Sequence, residues 1–153
     1  MIESKIKPLL VFGTRHGTIF NLTPTNLPNL PAIQLSVGDF YDHREVLRSL
    51  PEGMTLKDFL GYKNNIATYL TPYDFYKKEC MKGCENSKIV KIKCNNGYTE
   101  FNAQLYDEIA NIIKPEYLVT MTDYPSSQKG STSESNKSHK RAINKTTAYL
   151  ENS

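Results

Sequence analysis

Short apolar runs, each cut off by proline, glycine or a polar cluster, set the rhythm of this chain. Residues 9–12 form a first buried run, and Gly13-Thr14-Arg15-His16-Gly17 follows as a loop whose two glycines permit tight backbone geometry. Residues 32–36 alternate Ile33 and Leu35 with polar neighbours and predict a second strand. From Asp42 the spacing of Val46, Leu47 and Leu50 predicts a short helix that Pro51 ends. A further helical turn is expected over 55–60, with Leu56, Phe59 and Leu60 on one face, and then a third strand over 66–70. Thr23-Pro24 has the form of a helix start, a hydroxyl cap followed by proline in the first turn, although Pro28 and Pro31 keep any such helix short.

The sharpest local pattern lies further on. Residues 88–94 and 98–102 alternate apolar and polar around Asn95-Asn96-Gly97, residue types that supply the positive φ of a hairpin turn. Asn102 is placed to cap a helix carrying Leu105, Ile109, Ile112 and Ile113 on one stripe, and Lys114-Pro115 ends it. Residues 117–121 then predict a fourth main strand. From 126 to 140 the chain is serine- and lysine-rich without a large apolar side chain, so it cannot bury enough surface to offset its ordering entropy and is expected to be a mobile loop. Helical spacing returns with Ala142, Ile143, Thr146, Tyr149 and Leu150. Strands separated by helices, with one inserted hairpin, imply a parallel sheet of α/β class.

Composition narrows the function classes. The 153 residues suit a single domain, and 39% hydrophobic with 23% charged residues is ordinary for a globular chain. A net charge of +3 tolerates a polyanionic partner but falls far short of a dedicated nucleic-acid binder. The apolar run near the N-terminus is too short for a signal core or a membrane span, which makes the cytosol the expected compartment. The N-x-[ST] triplets at Asn21, Asn136 and Asn144 are then chance matches. Cys80, Cys84 and Cys94 are an odd set, and neither His43 nor His139 stands at a zinc-ligand interval from them, so reduced cysteines are expected and no metal ligand is assigned.

Few residues carry candidate chemistry. Residues 117–121 hand over to Thr122, Asp123 and Tyr124, where a parallel strand meets its following loop and functional polar groups collect. Asp123 is therefore the carboxylate expected in a pocket, its competing role being to cap a turn. The loop holding Arg15 offers backbone donors and one cation to an anion, although glycines at this spacing fit neither a Walker loop nor a dinucleotide fingerprint and also suit a plain connection. His43, near a helix start, has no acid/base partner in view.

Leu10-Val11-Phe12-Gly13-Thr14-Arg15-His16-Gly17-Thr18, Leu22-Thr23-Pro24, Ile33-Gln34-Leu35-Ser36 and His43-Arg44-Glu45-Val46-Leu47 together resemble the start of the tRNA-guanine transglycosylase barrel. The second and third strands look most like those of the queuine tRNA-ribosyltransferase accessory subunits, the non-catalytic partners of the eukaryotic enzyme. The hairpin, the helix after it, residues 119–123 and Lys140-Arg141-Ala142 continue the resemblance in the same order. It spans nearly all of this chain and the N-terminal part of the family. It implies the first half of a TIM-type (β/α)8 barrel, exchange of guanine for queuine at the tRNA wobble position through a covalent aspartyl intermediate, a structural zinc, and a heterodimer of accessory and catalytic subunits that acts on tRNA. By position, Asp123 matches the family's base-recognising aspartate, and Arg15, Lys140 and Arg141 are the basic positions for phosphate contact.

Departures from the family pattern shape the expected function. Catalytic members follow strand three with Asp-Ser-Gly-Gly, whose carboxylate is the acid/base, whereas this chain has Thr71-Pro72-Tyr73-Asp74. The family's nucleophilic aspartate and its cysteine-rich zinc motif belong to positions beyond Ser153, so no cofactor is assigned to this chain. A base-recognising group without nucleophile or acid/base partner does no chemistry. The sequence thus predicts a non-catalytic accessory subunit with no catalytic residue of its own. Two alternatives compete: a degenerate catalytic transglycosylase with Asp74 as a substitute acid/base, and a small basic RNA-binding module.

Overall fold

The structure is a computed structural model and describes residues 10–23, 30–62, 65–72, 74, 89–121, 140, 143–144 and 147, together with the backbone of 81–83. In chain order the elements are β1 (Val11–Gly13), β2 (Ala32–Ser36), α1 (Val37–Phe40), a 3-10 turn (Tyr41–His43), α2 (Arg44–Arg48), α3 (Leu56–Phe59), β3 (Ala67–Thr71), β4 (Met81–Gly83), β5 (Val90–Cys94), β6 (Gly97–Phe101), α4 (Ala103–Ile113) and β7 (Tyr117–Leu118). Four strands form one parallel sheet in the order β1-β2-β3-β7, and β4-β5-β6 form a small antiparallel sheet. The parallel strands thus follow one another as the apolar runs predict, with the hairpin inserted between the third and fourth. Its third strand, β4, was not foreseen. Residues 24–29, expected to start a helix, and 126–139, expected to form a mobile loop, lie outside the described residues.

Sidedness is the main feature of the parallel sheet. Register pairs Val11 with Ala32, Ala32 with Ala67, and Tyr69 with Tyr117, so these residues share one face with Gln34 and Ser36. Phe12, Ile33, Leu35, Thr68 and Leu70 share the other. The hydrophobic core takes its strand residues from this second face: Ile33, Leu35 and Leu70, with Phe12 packed beside them. Onto them come Val90, Ile92, Cys94 and Phe101 of the hairpin and Tyr106, Ile109 and Ile113 of α4. On the first face Ala32, Gln34 and Ser36 are buried, while Val11 and Tyr117 at the margins are exposed.

Local chemistry explains the elements. Asn102 Oδ1 accepts the Leu105 amide at 2.8 Å and starts α4, and Lys114 in the left-handed region (φ 53) ends it before Pro115. Thr55 and Asp58 form a reciprocal capping box on α3. At the hairpin tip only Gly97 has positive φ (127°), and the asparagines serve differently from expectation: Asn95 Nδ2 donates to the Asp39 carbonyl at 3.3 Å and the Asn96 amide to Asp42 Oδ2 at 3.0 Å. These bonds tie the hairpin to α1 and to the 3-10 turn that follows it. Gly38 lets the two meet, since a Cβ there would lie 2.4 Å from the Lys93 carbonyl oxygen.

Two helix faces differ from expectation. Phe59 is exposed, and α3 buries Leu56 with Lys57 instead. The cause is Lys57 Nζ, which donates to the Ile66 carbonyl at 3.2 Å and pairs with Glu116, drawing its stem inward. Val46 is likewise exposed, because α2 runs for five residues and turns Leu47 alone fully into the core. The fourth strand is shorter than predicted: β7 holds two residues, and the ladder continues through the Val119 amide to the Leu70 carbonyl at 2.9 Å.

Candidate functional site

The two ends of the parallel sheet are built differently. At the end where strands begin, Glu116 accepts the Thr68 amide at 2.9 Å as well as the Thr68 hydroxyl and Lys57 ammonium. Burial pushes the Glu116 carboxyl up, but the hydrogen bonds from Lys57 and Thr68 outweigh it and hold the group below its ordinary value. This clamp joins α3, β3 and the entry to β7, and everything in it is engaged in holding structure.

Buried polar groups gather at the opposite end, where the strands finish. The Thr14 hydroxyl, just past β1, donates to the Gln34 carbonyl at 2.6 Å, and Gln34 Nε2 donates to the Thr71 hydroxyl at 2.7 Å, linking β1, β2 and β3 through side chains. Thr14, Gln34, Ser36, Asp39, Thr71 and Asp74 are all buried. Buried amides and hydroxyls are costly unless paired, so these links fix the relative positions of the strand ends. In α/β sheets this is the end at which ligands bind.

Above the strand ends lies the turn Arg15-His16-Gly17-Thr18. Reciprocal amide–carbonyl bonds between Arg15 and Thr18, at 2.9 and 3.0 Å, close it, with His16 (φ 49) and Gly17 (φ 77) both left-handed. Such φ values are the signature of a tight hairpin turn. Gly17 is required twice over, by its φ and because a Cβ there would meet Leu60 Cδ1 at 2.4 Å. Its carbonyl accepts the Tyr62 hydroxyl at 2.8 Å. Burial pushes that phenol above its ordinary value, against a smaller opposing effect of the Ile19 backbone.

Beneath this turn the Asp39 carboxylate, whose side chain is 0% exposed, accepts the His16 amide at 2.8 Å, and its other oxygen lies 3.8 Å from His16 Nδ1. The imidazole is half-exposed. At 3.8 Å the carboxylate makes no hydrogen bond to the ring, so Asp39 holds this turn through the His16 amide. An anion receives little help here. The amides of Arg15, His16 and Thr18 are engaged within the protein, and the nearest buried group is a carboxylate. The turn is therefore a closed connection, and Arg15 contributes an exposed guanidinium at its edge.

Asp123 and Arg141 lie outside the described residues, and Lys140 is helical and exposed. Asp74, the substitute acid/base of the degenerate-enzyme alternative, is buried just past β3. His43 is exposed, as a surface residue. Sequence reasoning missed Asp39 and Gln34, although each had a signal: an acid between Val37 and Phe40, and an amide between Ile33 and Leu35. Among the described residues no group of three or more His, Cys, Asp or Glu side chains is placed to hold a metal ion, and Cys94 is buried in the core. The described residues thus offer no donor set for the zinc that the resemblance implies. No described helix is long and apolar enough to cross a membrane. No protein-family model matches the chain, and no curated protein matches it.

Proposed function

We propose that this chain is a non-catalytic accessory subunit, of the queuine tRNA-ribosyltransferase accessory subunit 2 type, that supports exchange of guanine for queuine at the tRNA wobble position through a catalytic partner. The observation that carries this reading is the order of the elements. The motifs that resemble the transglycosylase barrel fall on β1, its following turn, β2 and α2, and the hairpin enters between β3 and β7 as the resemblance requires. In this reading the four parallel strands are the first half of a TIM-type barrel, the protein is cytoplasmic, and any structural zinc is held outside the described residues. The side-chain links among Thr14, Gln34 and Thr71 keep the strand ends rigid, as a subunit retained for its surface needs. Arg15, Lys140 and Arg141 supply phosphate contacts, and Asp123 the contact to a base.

One observation favours a second reading, a degenerate transglycosylase: Asp74 is a buried carboxyl at the end of β3, where catalytic members place their acid/base. Labelled-guanine incorporation into tRNA by the purified chain separates the two. The accessory reading predicts none. Incorporation abolished by Asp74→Ala or Asp123→Ala would replace it with the catalytic one.

A further inference from the structure

Alternation along β5 and β6 gives the small antiparallel sheet two unlike faces. Val90, Ile92, Cys94 and Phe101 turn into the core, so Lys91, Lys93, Tyr98 and Glu100 lie on the opposite side. Register sets Lys91 against Glu100 and Lys93 against Tyr98, and Lys82 of β4 stands opposite Lys91. The outer face thus holds lysine at three register positions against one carboxylate, with a tyrosine ring 37% exposed beside them. Glu100 reaches Lys91 at 3.3 Å, but the two side chains are 58% and 43% exposed, and an exposed pair of this kind is worth little, so a phosphate can take over the ammonium. Lys93 is exposed and in no ion pair among the described residues. Other cations are already engaged: Arg44 and Arg48 meet Glu45 and Glu108, and Lys57 meets Glu116. The face is also held in place. Asn95 and Asn96 bond to Asp39 and Asp42, and the Asp39 carboxylate accepts the His16 amide, so the hairpin tip and the turn bearing Arg15 are anchored on one residue, at the end where the parallel strands finish.

We propose that this outer face binds single-stranded RNA, with its lysines on the phosphates and the Tyr98 ring beneath an unpaired base. Proteins that hold unpaired strands combine cations that track the backbone with aromatic rings on which bases stack. Here Lys91 and Lys93 stand one two-residue step apart along β5, roughly 6.8 Å, and Tyr98 is the cross-strand neighbour of Lys93, so cation and ring lie side by side. A duplex offers phosphates but keeps its bases stacked and paired, so it would use the lysines and leave the ring idle. An acidic protein would need only the charge. The inference rests on the tRNA reading for the identity of the RNA: the wobble base lies in an unpaired loop of tRNA, and this face flanks the end of the parallel sheet to which that reading assigns base recognition. The hairpin thereby adds a sheet surface to the phosphate contacts assigned to Arg15.

Fluorescence anisotropy tests this, with a labelled anticodon stem-loop RNA and a blunt-ended RNA duplex of the same length each titrated with the full chain at several salt concentrations. Wild type should bind the stem-loop more tightly than the duplex. Lys91→Ala combined with Lys93→Ala removes two phosphate contacts and should flatten the salt dependence by about 1.4 units of slope, at about 0.7 per contact with an unpaired strand. Tyr98→Ala should weaken stem-loop binding about fivefold or more at unchanged slope and leave duplex binding as it was, while Tyr98→Phe binds as wild type does. These side chains lie on the outer face, so circular dichroism should show each variant folded. No stem-loop binding by wild type, a double-lysine variant with the wild-type slope, or equal losses on stem-loop and duplex for Tyr98→Ala would overturn the proposal. So would lysine variants that bind RNA normally but no longer co-purify with the catalytic subunit, the pattern of a protein-docking face. Guanine exchange by the catalytic subunit, measured with the same preparations, separates this inference from the accessory reading. A wild-type chain that binds the stem-loop as described yet leaves exchange unchanged removes the accessory role and keeps the surface; variants that support exchange and bind RNA as wild type does remove the surface and keep the role.

Discussion

Gly38→Ala sets two effects against each other, and the structure decides between them. Gly38 sits within α1 between buried Val37 and Asp39, and alanine in a helix interior is ordinarily worth about 0.5–1 kcal/mol more than glycine. Here the added Cβ would lie 2.4 Å from the Lys93 carbonyl oxygen and 3.4 Å from Ile92 Cγ2. The first of these is backbone, so it cannot swing aside as a side chain does. Restoring ordinary contact means moving α1 off β5 by nearly an ångström. That movement would open the packing of Val37 and Phe40 on Ile92 and stretch the Asn95–Asp39 bond, already 3.3 Å. Overpacking of this kind costs about 1–3 kcal/mol, more than the helix gain, and the net expectation is a loss of about 1–2 kcal/mol. Urea unfolding followed by circular dichroism measures it as a lower midpoint at unchanged slope. Gly53→Ala is the control, since Gly53 has φ 84 and nothing within 4 Å of its added Cβ, so it reports backbone strain without a clash. A Gly38→Ala midpoint equal to or above wild type would refute the close docking of α1 on the hairpin.

Ile109→Ala, at a fully buried position of α4, should cost about 2–5 kcal/mol in the same assay. Because the folded state holds Glu116 below its ordinary value of 4.5, its contribution is fully present above that pH and is lost as pH falls through the folded value; Glu116→Gln should therefore flatten the acid limb of the stability profile, and an unchanged limb would remove the clamp. Arg15→Ala should weaken tRNA binding modestly and lower the salt-dependence slope by about one, read from binding isotherms at several salt concentrations; an unchanged slope would take Arg15 out of the interface.

Strand order was legible because each parallel strand is a short apolar run bounded by breakers, and Asn102 and Pro115 bracket α4 by local chemistry alone. Non-local contacts were not. Lys57 looks like a surface lysine of a short helix until Ile66 and Glu116, near and far in sequence, converge on it. Asn95 and Asn96 read as turn formers, and their hydrogen bonds to α1 and the following 3-10 turn depend on how the hairpin folds back. Asp39 shows the same limit at the candidate site, since nothing local announces that its partner is the amide of a residue in the left-handed region of another loop. Exposure of Val46 follows from a helix too short to present a full stripe, and that of Phe59 from the inward pull on Lys57.

The central claim, an accessory subunit acting through a catalytic one, meets its most direct test in reconstitution. The chain is mixed with the catalytic transglycosylase subunit of its own organism, complex formation is followed by co-purification, and guanine exchange at the wobble position of tRNA is measured with and without it. The account predicts a stable complex and exchange that rises with added chain while the chain alone stays inactive. A folded preparation that forms no complex and leaves the partner's exchange unchanged would contradict it.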